Sequence, residues 1–242
     1  MSSKKLSVSV VMPVFNEREF VLEVIKRVTA TGIPAELIVV DDCSVDGTRD
    51  LLAGLEKKWP YKECRLKLIL KEKNMGKGAA LRTALENVTG DVVIVQDADL
   101  EYDPRDYEKL LEPIIEGRAD VVYGSRFMGN SHRVLFFWHM VGNKVLTFFS
   151  NMLTNINLSD METGYKAFRT EVLRSFTLES DRFGFEPEVT AKVARGRYRI
   201  YETSISYAGR TYDEGKKINW KDGVAAFWHI IKYNLLAPAP RR

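Results

Sequence analysis

Asp97, Asp99, Glu101 and Asp103 follow an apolar run in the stretch D-V-V-I-V-Q-D-A-D-L-E-Y-D-P, residues 91–104. A continuous hydrophobic run that stops at carboxylates reads as a buried parallel strand ending at a charged edge. Side chains alternate along an extended chain. Asp97 and Asp99 are therefore expected to project to one side at the carboxyl end of this strand, where open α/β sheets place their ligands. A helix cap would need one carboxylate. Two oxygens at period-two spacing, with Glu101 two residues on, suit Mg2+ or Mn2+.

Other strand ends carry chemistry at the same expected edge. In V-M-P-V-F-N-E, residues 11–17, Asn16 has the type of a helix cap and Glu17 that of a first-turn acid. In I-V-V-D-D-C-S-V-D-G-T, residues 38–48, Asp41 and Asp42 close a strand, with Ser44 or Asp46 placed to cap the next helix. N-M-G-K-G-A-A-L, residues 74–81, reads either as a phosphate cradle helped by Lys77 or as a helix-initiating turn that needs only small residues. It is not a P-loop, and no G-x-G-x-x-G follows the first strand, which argues against a dehydrogenase. Arg126 of G-S-R is placed to grip a phosphate with two parallel bonds, a surface salt bridge being the plainer alternative. The loop Y-A-G-R-T-Y-D-E-G-K-K, residues 207–217, has the composition of a flap over an anion.

The elements behind these edges follow from periodicity. Strand patterns at 7–12, 36–40, 66–70, 91–96 and 120–123 alternate with amphipathic helical patterns at 19–29, 47–58, 77–87 and 105–116. This alternation predicts an α/β fold, a mostly parallel sheet with helices on both faces. Beyond residue 133 the chain reads as helical over 134–158 and 186–195, as a strand over 199–205 and as a last amphipathic helix over 220–236. With 242 residues, 45% hydrophobic and 29% charged, and no internal repeat or long linker, a single domain over 1–242 is expected. No stretch approaches the roughly 20 apolar residues that span a bilayer, and M-S-S-K-K lacks the shape of a secretory signal, so a cytoplasmic location is expected. Cys43 and Cys64 lack C-x-x-C spacing and support neither a zinc site nor a disulfide framework. A net charge of +3 is too small to argue for nucleic acid and is compatible with an anionic membrane surface or a phosphorylated substrate.

In their order, P-V-F-N-E, V-D-D-C-S-V-D-G-T, N-M-G-K-G, D-A-D, G-S-R, D-M-E-T-G-Y-K-A-F and the basic loop make the sequence resemble glycosyltransferase family 2 from about residue 7 to residue 220. Within it, the resemblance is to polyprenyl-phosphate glycosyltransferases such as dolichyl-phosphate mannose and glucose synthases. It implies the GT-A, or nucleotide-diphospho-sugar transferase, fold, with a nucleotide-sugar half at about 1–126 and an acceptor-facing, membrane-facing helical half at about 127–242. It implies inverting transfer of a hexose from a nucleotide diphosphate sugar, of GDP-mannose or UDP-glucose type, to a dolichyl or undecaprenyl phosphate. By the resemblance, Pro13, Phe15 and Glu17 line the nucleotide pocket, with Asp41 or Asp42 facing base or ribose and Lys77 and Ala98 in the donor site. Family members usually carry Tyr where this chain has Phe15, so stacking survives without a hydroxyl. Asp97 helps place the nucleotide sugar, and Asp99 with Glu101 holds the metal, a position where mannose synthases typically carry Gln for Glu101. Arg126 resembles the acceptor-phosphate arginine, with Arg133, His139 and Lys144 as candidates for a second basic contact. Arg210 and Lys216 resemble flap residues that neutralise the donor diphosphate. Asp97, Asp99 and Arg126 make up the expected catalytic group.

A phosphate monoester, with a second pKa of about 6, is largely ionised at neutral pH and needs no strong base. That suits a chain whose 3 histidines form no catalytic grouping. A family 2 enzyme acting on a sugar hydroxyl would need a carboxylate base, for which Asp160 or Glu162 is available; a nucleotide-sugar-binding scaffold is the alternative without turnover. Residues 134–158 and 226–236 are rich in aromatic and aliphatic side chains. One of these helices is expected to lie in the cytoplasmic membrane interface, with Arg241 and Arg242 drawn to anionic lipid; core packing, a homodimer contact or a membrane partner protein is the alternative.

Overall fold

The computed structural model describes residues 6–129, 133–134, 136–211 and 220–237, the side chains of 220 and 221 excepted. Seven strands run β1 Val8–Val14, β2 Glu36–Asp41, β3 Arg65–Leu70, β4 Val92–Val95, β5 Val121–Ser125, β6 Lys166–Arg169 and β7 Ile200–Ser204. They form one sheet of order β3-β2-β1-β4-β6-β5-β7. Every pairing is parallel except those of β6, which runs antiparallel to both β4 and β5. The helices are α1 Val21–Ala30, α2 Thr48–Lys57, α3 Lys77–Leu85, α4 Tyr107–Ile115, α5 Phe137–Thr154, α6 Thr170–Arg174, α7 Phe185–Arg195 and α8 Trp220–Ile231, the last continuing as a π-helical turn at Lys232–Leu236.

Strand alternation distributes the core over two faces. Val10, Met12 and Val14 pack with Val24 and Val28 of α1 and with Leu110 and Ile114 of α4. Val11 and Ile38 pack on the opposite face with Ala80 and Leu81 of α3 and Val189 and Val193 of α7. In α1 the buried residues Val21, Val24, Ile25 and Val28 recur at helical spacing and make the stripe that docks it. Pro13 sits inside β1 without losing a ladder bond. The Val11 carbonyl accepts from Gln96 N–H, and Pro13, two residues on, faces the same side, where the β1–β4 pairing has already ended.

The five expected strands of the first half and the expected 199–205 strand are present. The helix expected over 134–158 is Phe137–Thr154, while β6 and α6 were not anticipated. The antiparallel β6 matters for position. Its first residue lies at the edge where parallel strands finish, so residues 160–165 reach that edge between the ends of β4 and β5.

The glycine turn before α3 is explained by packing. A Cβ on Gly76, at φ +97°, would lie 2.6 Å from the Asp181 carbonyl, and one on Gly78 would overlap the Ser180 carbonyl. Gly54 in α2 faces open space. Gly78→Ala should therefore cost about 1–3 kcal/mol through overpacking, while Gly54→Ala should stabilise by about 0.5–1 kcal/mol through helix propensity. Urea denaturation of the two variants checks both signs, and a Gly78→Ala protein as stable as the parent would contradict the packing.

Candidate active site

A cavity of about 1190 Å3 opens along the carboxyl edge of the sheet. One end is walled by Pro13, Phe15, Glu17 and Asp42, the middle by Asp97, Ala98, Asp99 and Glu101, and the far end by Arg126, Arg133 and the start of α5. The sequence-predicted residues thus converge, with three exceptions. Asp41 is fully buried and absent from the wall, its Oδ2 accepting from Ser44 N–H at 3.1 Å. Lys144 is exposed on α5 with its ammonium 4.4 Å from the Phe127 ring centroid, and does not line the cavity. Lys216, like Arg241 and Arg242, lies outside the described residues. His139, the third candidate for the second basic contact, lines the cavity beside Arg133.

The carboxylates after β4 do not share one side by strand alternation. The strand ends at Val95, and the chain then bends, with Leu100 at φ +61° in the left-handed region. This turn lets Glu101 N–H donate to Asp99 Oδ1 at 3.2 Å, and it sends Asp97 and Asp99 to different cations. Asp97 turns to Lys77, whose Nζ lies 2.9 Å from its Oδ1 and 3.1 Å from Glu186 Oε1. Burial alone would lower the Lys77 pKa, but Asp97 and Glu186 outweigh it and hold the ammonium well above the usual lysine range. The phosphate-cradle reading of this turn is accordingly corrected. Lys77 is committed to carboxylates, and the Met75 and Gly76 N–H groups donate to Asp42 Oδ2 at 3.0 and 2.5 Å.

Asp99 meets Arg210. The guanidinium donates to Asp99 Oδ2 at 2.9 Å and to both oxygens of Glu17 at 3.2 and 3.3 Å, and its backbone N–H donates to Glu101 Oε1 at 2.9 Å. Tyr207 O–H adds a bond to Glu101 Oε2 at 3.0 Å. The start of the basic loop is therefore folded onto the acidic turn, with Arg210 as its cation. Burial, then Glu101 and Asp97, push the Asp99 carboxyl above its usual range against the pull of Arg210. Among the described residues no three His, Cys, Asp or Glu side chains are grouped as a ready-made metal cage. Asp99 and Glu101 nonetheless fit a hard divalent cation of the kind held by one or two carboxylates with phosphate oxygens completing the shell. Their excess negative charge, met here by a guanidinium, is what such an ion would also neutralise.

At the far end, Arg126 is in a largely buried ion pair rather than an open fork or a surface bridge. Its Nε and Nη2 donate to Asp160 Oδ2 and Oδ1 at 2.7 and 2.8 Å, and its backbone N–H donates to the same carboxylate at 3.1 Å. The Nε–Nη2 edge, one of the two that could bind a pair of phosphate oxygens, is taken by Asp160, which is itself fully buried. Arg126 still lines the cavity, with its guanidinium carbon 5.3 Å from the Tyr207 ring centroid.

Sequence reasoning missed Glu186, Tyr102 and Gly164 on this wall. Glu186 had the signature of an ordinary first-turn acid in α7. Gly164 stood inside D-M-E-T-G-Y-K-A-F with no role assigned to it, yet its N–H donates to the Tyr102 hydroxyl oxygen at 2.9 Å, and a Cβ there would overlap the Asp97 carboxylate. Beyond the polar wall, α5 and α8 expose Phe137, Trp138, Phe148 and Trp228 at 60, 78, 63 and 54%. Among the described residues no helix is long and apolar enough to cross a membrane.

Residues 9–177 match the family described as glycosyl transferase family 2. The dolichol-phosphate mannosyltransferase of Pyrococcus furiosus is 30% identical over 217 residues, covering 87% of this chain and 59% of that protein. Glycosyltransferase AglJ of Haloferax volcanii is 31% identical over 207 residues, covering 84% of this chain and 64% of that one. The chain thus spans about three fifths of the length of the curated relatives it matches. Among solved structures, glucosyl-3-phosphoglycerate synthase of Mycobacterium tuberculosis, in complex with Mn2+, uridine diphosphate and phosphoglyceric acid, superposes with a TM-score of 0.72 at 20% identity, over 97% of this chain and 80% of that one. That likeness is one of fold.

Removing Lys77 should leave Asp97 and Glu186 buried without their shared cation. Lys77→Met is expected to cost about 1–3 kcal/mol, and adding Glu186→Gln should restore part of the loss. A double-mutant cycle on urea midpoints measures the coupling; strict additivity would remove the triad from the site's framework.

Proposed function

The chain belongs to glycosyl transferase family 2 and has the GT-A fold, and on that premise we propose that it transfers a hexose from a nucleotide diphosphate sugar to a polyprenyl phosphate. The observation that carries this reading is a single cavity with an ionic end and an apolar end. Glu17, Asp97, Asp99, Glu101 and Arg210 meet at one end, and Phe136, Phe137 and Trp138 of the aromatic segment stand at the other. A charged donor and a lipid-linked acceptor need those two environments to be continuous.

In this reading Phe15 offers its ring to the nucleotide base, Pro13 shapes the pocket, and Asp42, on the wall, is favoured over Asp41 for the base or ribose. Asp99 and Glu101 would hold Mg2+ or Mn2+, which supplies charge neutralisation for the donor diphosphate. Arg210 then exchanges its carboxylate partners for diphosphate oxygens, so its positive charge follows the leaving group. Asp97, fixed by Lys77, keeps its carboxylate oriented toward the sugar side. An acceptor phosphate oxygen forms the new bond to the anomeric carbon as the bond to the nucleoside diphosphate breaks, with inversion. Arg126, steadied by Asp160, lies at the acceptor end with Arg133, and its remaining edge faces the incoming phosphate. The hydroxyl-acceptor alternative is weakened because Asp160, one of its two candidate bases, is held in an ion pair.

The exposed aromatic faces of α5 and α8 support docking at a membrane interface, which we place at the cytoplasmic leaflet where the lipid phosphate is met. A second copy of the chain is the alternative cover.

Radiolabelled hexose should pass from GDP-mannose or UDP-glucose into polyprenyl phosphate in the presence of Mn2+, and EDTA should reduce the rate at least ~100-fold. In thermal-shift assays the matching nucleotide sugar at ~100 times its dissociation constant should add about 2.7 kcal/mol of stability. Undiminished transfer after chelation would remove the metal from the scheme, and label appearing only on a sugar hydroxyl would overturn the acceptor. For the membrane, co-sedimentation with anionic liposomes at low salt should fall at least ~5-fold when Trp138 and Trp228 are both changed to Ser; equal pelleting of both proteins points away from these helices.

A further inference from the structure

We propose that Glu162 hydrogen-bonds a hydroxyl group of the hexose in the donor and so sets which sugar the site accepts. The inference rests on the donor reading above and adds the residue that discriminates among sugars. Because β6 is antiparallel, residues 160–165 arrive at the sheet edge between the turn after β4 and the end of β5. Glu162 consequently lines the cavity between the acidic turn, assigned to the diphosphate, and Arg126, assigned to the acceptor. The sugar that joins the two lies in that interval.

The charged groups packed around this stretch of the wall are engaged with one another or with the backbone. Asp160 holds Arg126, Asp97 and Glu186 share Lys77, and Lys166 Nζ donates to the Met161 and Thr163 carbonyls. Glu162 differs. Its Oε1 is shielded from solvent and has no hydrogen-bond partner among the described residues. A buried polar atom left unmatched is destabilising, a cost that a ligand hydroxyl removes when it binds. Gly164, two residues on, has no room for a side chain against Asp97, which keeps the backbone tight to the donor turn. Burial, with Glu186 next in effect, holds the Glu162 carboxyl above the usual range. A protonated carboxyl both donates and accepts, as a sugar hydroxyl does.

The experiment uses the full chain with Mn2+, titrating UDP, UDP-glucose, UDP-galactose, GDP and GDP-mannose by calorimetry and following transfer kinetics. Glu162→Ala should weaken the preferred nucleotide sugar at least ~10-fold and flatten the preference among sugars, while affinity for the matching nucleoside diphosphate stays within ~2-fold. Glu162→Gln, which keeps a donor and an acceptor, should retain affinity within ~3-fold. If the Ala variant melts early, Glu162→Met removes the same groups at similar volume and is read in its place. An unchanged ratio of sugar to nucleotide affinity overturns the assignment, as does a loss confined to kcat, which would make Glu162 a base. A parent protein that binds nucleotides but gains nothing from any attached sugar also overturns it. A parent that binds none of the five ligands overturns the donor reading itself, and this inference with it.

Discussion

Lys77 is the charge on which the geometry of the site depends. It starts α3, and its ammonium joins Asp97 after β4 to Glu186 in the first turn of α7. Three segments distant in sequence are thereby tied at one point of the sheet edge. Charges this poorly solvated, with Lys77 and Asp97 about a fifth exposed and Glu186 buried, are stabilised by pairing, and an ammonium between two carboxylates leaves one net negative charge in the wall. The close approach of Gly76 and Gly78 to residues 180–182 follows from the same demand, since α3 must come near enough for Lys77 to reach both acids. Arg82 reinforces the seam by donating to the Ser180 carbonyl at 2.6 Å.

The second constraint is an excess of carboxylates that, among the described residues, Arg210 only partly balances. Glu17, Asp99 and Glu101 come from two strand ends and share Arg210, which lies 193 positions beyond Glu17. The segment after β7 is held against the acidic turn by the backbone as well, Ala208 N–H donating to the Glu101 carbonyl at 3.0 Å. The excess of carboxylates makes the guanidinium exchangeable: any ligand set that brings its own positive charge can take over its role. In the function proposed for this site, binding is an exchange of ion pairs, which keeps the desolvation cost low compared with opening an empty charged pocket.

Much of the architecture was legible because strand ends announce themselves. V-S-V-V-M-P and E-L-I-V-V-D are buried along nearly their whole length, and their apolar runs gave both position and direction. Alternation failed at Asp97 and Asp99 because the strand stops at Val95, and a left-handed Leu100 is not written in hydrophobic period. The antiparallel β6 was hidden for another reason: K-A-F-R is four residues long and charged at both ends, while Lys166 is buried over Tyr123 at 4.8 Å, a packing that no local pattern signals. Arg126 was legible as a charged residue at the sheet edge, whereas its partner Asp160 depends on the course of β6. Glu186 looked like a helix-stabilising acid, and only tertiary contact distinguishes that from an ion-pair role.

The antiparallel strand also determines how the protein can vary. Asp160, Glu162 and Gly164 occupy alternate positions of one short segment, yet they face respectively the Arg126 ion pair, the interval between the two ends of the cavity, and the Asp97–Lys77 contact. Elsewhere the two ends of the cavity hang on separate strands and can drift apart in sequence without disturbing each other. Here an insertion or deletion of one residue would displace all three contacts at once. A change of length in this segment would therefore be felt at both ends of the cavity together, whereas a substitution acts on one contact, and at Gly164 even that is opposed by the Asp97 carboxylate.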